Sequence, residues 1–150
     1  MTATANDLRT GRALVGSDLF DSIAEFTATH FGYDLEKAER ATDQALAFLA
    51  TVGTATVKMV PSDDVDGALH SFILHTADYR EFCEKYAGRF LEHNPRPGGG
   101  GRVLEEVRAT AGAIKANGFR VLDALWIVND ENAAQCDSDC GRDYRAVTAG

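Results

Sequence analysis

The chain has 150 residues, 45% of them hydrophobic and 25% charged, which is the size and balance of one globular domain with a buried core. A formal charge of −8 argues against nucleic-acid backbones and anionic membranes as partners and leaves cations, small molecules and basic protein surfaces. Three cysteines are an odd number for a disulfide framework, and no signal peptide or membrane-length apolar run is present, so the expected address is cytoplasmic.

Residues 1–16 carry little apolar periodicity and read as a flexible N-terminal arm. Ser17-Asp18 opens a helix with Leu19, Phe20, Ile23 and Phe26 on one side, and His30 falls on that face as a satisfied core histidine before Gly32 stops the turn. Asp34 caps a second helix whose buried side is expected to be Leu35, Ala38, Thr42, Ala45, Leu46, Leu49 and Val52, ending at Gly53. The β-branched run at 54–60 is either one short strand or an extended connection to Pro61.

The stretch from Ser62 to Pro95 holds three of the four histidines. From Asp63, residues Val65, Leu69, Phe72, Ile73 and Thr76 form one helical stripe, and Asp66 and His70, four apart, are neighbours at its edge. A carboxylate beside a histidine orients the ring for a metal or a proton transfer, and it serves equally as a structural hydrogen bond. His75 is five residues from His70 and points elsewhere. Asp78 and Glu81 resemble a capping box that restarts the helix, followed by a stripe of Tyr79, Phe82, Cys83, Tyr86 and Phe90. Cys83 in that stripe reads as a small core hydrophobe. The helix is expected to continue through Gly88 to Asn94-Pro95, with His93 near its last carbonyls.

Four glycines at 98–101 lack the lysine and hydroxyl of a phosphate loop and read as a linker. The next helix places Val103, Leu104, Val107, Ala111 and Ile114 on one face and stops at Gly118. Within the apolar segment 119–128, Asp123 is placed to start a turn that inserts Trp126 into the core. The tail from residue 129 is acidic and carries Cys136 and Cys140, a spacing that supplies two sulfurs to a metal, a redox pair or idle thiols.

Over residues 66–93 the residues Asp66, Leu69, His70, His75, Tyr79, Phe82, Cys83 and His93 form a pattern that resembles the glycine-rich domain-containing protein-like family. Leu69 stands where that family usually has tryptophan, and Phe72 where some members have a second histidine. The resemblance implies a small helical domain without established catalysis, and in larger relatives a binding role. Plant members of that family are associated with RNA and development, a role that the negative charge opposes here.

These readings predict an all-α single domain over 17–128, a compact bundle of four to five helices around the 63–91 pair, with an acidic cysteine-bearing tail at 129–150. The leading functional expectation is a non-catalytic module that binds a protein or peptide, because no complete nucleophile, phosphate or cofactor motif is present. The alternative is a zinc or iron protein, possibly an enzyme, with His70, His93, Cys136 and Cys140 as ligands and Asp66 orienting His70 from behind. His75, Tyr79, Cys83 and Trp126 complete the expected interaction cluster. A third reading makes the tail thiols the target of a modifying enzyme.

Overall fold

The structure is a computed structural model that describes residues 7–93 and 103–128. It is an all-α bundle. In chain order the helices are α1 (Ser17–Phe31), α2 (Leu35–Val52), α3 (Asp63–Leu74), α4 (Thr76–Ala87) and α5 (Leu104–Ala116). Two single 3-10 turns, Arg12–Leu14 and Asp123–Leu125, flank them.

The end of α1 follows from Gly32, whose φ of 74° is a left-handed conformation that other residues adopt at a cost. Its core stripe is Phe20, Ile23, Ala24 and Thr27, the i, i+3, i+4, i+7 spacing of one helix face. His30 departs from expectation: it is exposed. Its ring lies flat on Phe26 at 3.8 Å between centroids, and its Nδ1 faces the Phe26 carbonyl at 3.3 Å.

Helix α2 is capped by the Asp34 carboxylate, which accepts from the Lys37 backbone N–H at 2.8 Å. Every residue from Ala41 to Val52 is buried, because α1, α3, α4 and α5 all pack on it. Alanines at 41, 45, 47 and 50 keep its surface narrow enough for close neighbours. Leu35, expected on the buried side, is 51% exposed in the first turn.

Between α3 and α4 the chain turns at one residue, His75 (φ −83°, ψ 67°), which ends one helix and precedes the next. The expected restart at Asp78 is therefore corrected. The Tyr79 N–H already donates to the His75 carbonyl at 2.8 Å, so Asp78 and Glu81 lie inside α4 and cap nothing. Gly88, expected within the helix, instead terminates it with φ 68°. The chain from 88 to 93 is coil, and His93 is not at a helix end.

Residues 54–60 form a connection without ladder pairing, anchored by buried Met59 and Val60. The Val60 N–H donates to Thr110 Oγ1 on α5 at 2.9 Å. Helix α5 buries Val107, Thr110 and Ile114. Val103 and Leu104 are exposed, so the apolar stripe runs one turn further than the surface that covers it.

The two flanking segments meet on α2. Arg9 pairs with Phe119 in an isolated parallel bridge, and Gly11 comes so close to α2 that a Cβ would lie 1.8 Å from the Asp43 carbonyl oxygen. The buried Gln44 side chain holds the C-terminal segment. Its amide NH2 donates to Asp43 Oδ2 (2.8 Å) and the Arg120 carbonyl (3.0 Å). Its oxygen accepts from the Leu122 N–H (2.9 Å) and Trp126 Nε1 (2.8 Å). All four hydrogen-bonding positions of that amide are thus used. Trp126 is inserted in the core at 5% exposure. Among the described residues, no helix is long and apolar enough to cross a membrane.

Candidate metal centre

The first half of the candidate centre is built by helix geometry. Ser62 caps α3 by accepting from the Val65 N–H at 3.2 Å, which fixes where the helix starts. Asp66 and His70 then project from successive turns of one face. Asp66 is 3% exposed, and its Oδ2 lies 3.3 Å from His70 Nε2. Asp66 also sits in the first turn with Asp63 and Asp64, where the helix dipole favours negative charge. That dipole accounts for an acid at this end of the helix; it does not account for one buried against a histidine.

The second half comes from the coil after α4. Gly88 reverses the chain, Leu91 is buried at 1% exposure, and the Tyr79 hydroxyl donates to the Leu91 carbonyl at 2.5 Å. Leu91 is thereby pinned two residues before His93, and His93 Nε2 reaches His70 Nε2 at 2.8 Å. One carboxylate oxygen and two imidazole nitrogens, from Asp66, His70 and His93, all lie within 4.8 Å of one another.

The choice of atoms is informative. An orienting carboxylate behind a metal-bound histidine takes the nitrogen that the metal does not use. Asp66 instead faces the same Nε2 of His70 that His93 faces, a position beside the two rings rather than behind one of them. Donors about 2.0–2.1 Å from a tetrahedral ion stand roughly 3.3 Å from one another. The two separations from His70 Nε2, 2.8 and 3.3 Å, are close to that spacing, while the full set spans up to 4.8 Å and closes on an ion only as the Asp66 and His93 side chains draw together. A metal-free arrangement is also self-consistent: one ring donates an Nε2–H to the other ring's Nε2.

The remaining expected site residues are placed as follows. Tyr79 is a positioning group, through Leu91. Cys83 lies under the same coil, fully buried, and burial raises its thiol pKa despite opposing hydrogen bonds from Leu91 and Tyr79, so the thiolate is disfavoured. His75 belongs elsewhere: its Nδ1 meets the Ser71 carbonyl at 2.7 Å and its Nε2 meets Ser22 Oγ at 2.8 Å, tying α1 to the α3–α4 corner. Trp126 is bound to Gln44. Cys136 and Cys140 lie outside the described residues, as does the glycine run at 98–101. The Ser22–His75 and Gln44 contacts were not anticipated. Gln44, the last of a Thr42-Asp43-Gln44 polar run that leads into the apolar residues 45–50 of α2, was the available signal for the latter, whereas Ser22 lies on the exposed side of α1.

Fold and site together define a class: an all-α bundle with a two-histidine, one-carboxylate cluster between its third helix and the coil after its fourth. A model of the UCP032817-like family matches residues 17–116, about two thirds of the chain, and the chain belongs to that family. This overturns the resemblance to the glycine-rich domain-containing protein-like family. That likeness rested on residues 66–93 alone, about a fifth of the chain. The family match takes in α1 through α5. No curated protein and no solved structure matches the chain.

Proposed function

We propose that this protein binds one divalent transition-metal ion through Asp66, His70 and His93. The convergence of three donor atoms from two separate chain segments on one point carries the reading. Two imidazoles and a carboxylate suit zinc, iron(II) or manganese in preference to calcium or magnesium, which favour all-oxygen sites. Three protein donors on a four-coordinate ion leave one position for water or an external ligand, the arrangement of reactive sites rather than closed structural ones. The described residues supply these donors without the tail cysteines.

The test is metal analysis by mass spectrometry on untagged protein, as purified and after equilibration with zinc, iron(II) or manganese followed by dialysis. Near-stoichiometric metal is expected in the wild type and in a Cys136→Ser/Cys140→Ser variant. Asp66→Asn, His70→Ala and His93→Ala should each abolish it. Metal-free wild type under every condition would reduce the cluster to a hydrogen-bonded histidine pair. Loss of metal in the cysteine variant alone would move the site to the tail.

A further inference from the structure

A groove of about 410 Å³ runs between the start of α1 and α4 and shares no residue with the metal cluster. Its floor is apolar: Leu14, Leu19, Phe82 and Tyr86 line it, and all four pack on the core. The floor is braced, because the Tyr86 hydroxyl donates to the Leu14 carbonyl at 3.1 Å and so links α4 to the segment before α1.

The rim is acidic. Asp18 from α1 and Asp78 and Glu81 from α4 line it, and all three are exposed. Among the described residues, no ion pair involves any of them. The groove's one cation, Lys85, lies over the Tyr86 ring at 5.3 Å. The helix dipole accounts for acids in the first turns of α1 and α4, where Asp18 and Asp78 sit. It does not account for Glu81, a turn further on, nor for like charges set on both banks of one apolar trough. Like charges held near each other repel, and a cationic occupant relieves that repulsion while covering the floor.

We propose that this groove docks a basic peptide segment with an apolar anchor, a Leu- or Phe-type side chain on the floor and flanking Lys or Arg side chains on the carboxylate rim. The volume lies within the roughly 300–1,000 Å³ of pockets that enclose a compact ligand. Its position between two helix faces suits the mode in which a peptide lays one face into a groove. Attraction between exposed charges makes the binding salt-sensitive.

The test uses the full chain and a fluorescent amphipathic peptide of alternating leucine and lysine turns, with a leucine and glutamate peptide of the same pattern as control. Anisotropy should show at least tenfold tighter binding of the basic peptide, weakening as salt is raised. Asp18→Asn/Asp78→Asn/Glu81→Gln should weaken it about tenfold. Glu84→Gln/Glu105→Gln/Asp123→Asn, which removes the same charge elsewhere, should leave it within about twofold. Backbone resonances of residues 14–19 and 78–86 should shift on binding. Equal loss in the two variants would reduce the effect to net charge and overturn the proposal. So would absence of peptide binding, whether spermine binds the groove instead or a second copy of the chain covers it in light scattering.

Discussion

At the scale of single residues, the candidate site turns on which nitrogen each histidine presents. His70 and Asp66 could be paired from spacing alone, since residues four apart on a helix must be neighbours. Their partner could not be derived that way, because His93 lies 23 residues on and reaches them only through the reversal at Gly88 and the Tyr79–Leu91 hydrogen bond. Cys83, beneath the same coil, yields a prediction of its own. Burial raises its native pKa, so above the ordinary thiol value, about 8.5, the unfolded chain releases its proton first. The stabilising contribution is complete below that value and is lost as pH rises through the raised native one. Urea unfolding at pH 7 and about pH 10 should show a larger alkaline loss in the wild type than in Cys83→Ala. Cys83→Ala will lower stability at both pH values through the cavity it leaves, so the difference between the two is the quantity that decides. Equal alkaline losses would mean that the thiol does not contribute.

At the scale of elements, the helices follow from their stripes and caps, while their joints follow from neighbours. Asp34, Gly32 and Gly53 mark boundaries that the sequence itself announces. The α3–α4 corner does not announce itself. It turns at His75, whose two ring nitrogens are held by Ser71 and Ser22, and the capping-box pattern at Asp78 and Glu81 leaves both acids for the groove rim. The C-terminal segment depends on one side chain. Gln44→Leu would leave the Arg120 carbonyl, the Leu122 N–H and the Trp126 indole N–H without that partner. The indole N–H is buried and costs about 1–3 kcal/mol when left unsatisfied, whereas the part-buried Arg120 carbonyl and Leu122 N–H can turn to water, so the expected loss is about 1–3 kcal/mol. Chemical denaturation measures it, and the fluorescence of the chain's one tryptophan should shift to the red as the segment loosens. A loss under about 1 kcal/mol would show that the amide is not what holds the segment.

At the scale of the whole molecule, the core is complete without metal. Twelve consecutive residues of α2, Ala41 to Val52, are buried by protein alone, unlike small domains whose folding depends on their ion. The metal proposed for the Asp66–His70–His93 cluster should therefore stabilise a chain that is already folded. The helical circular-dichroism signal should survive chelation, and Tm should rise with added zinc. At a free concentration 100 times Kd the gain is about 2.7 kcal/mol, and Asp66→Asn should show none of it. A chelated chain that unfolds at room temperature would contradict this.

The sequence by itself determined the helical class, most helix limits and much of the core, because these depend on periodicity and on residues that start or stop a turn locally. It also placed Asp66 beside His70 and set His75 apart from His70 by its spacing of five. Only the tertiary structure decided that His93 reaches that pair, that Gln44 anchors Trp126 and that three carboxylates line one apolar groove. Each of these joins residues from separate segments, and the distance between such residues is set by how the helices pack and where the coils return, which no local pattern encodes.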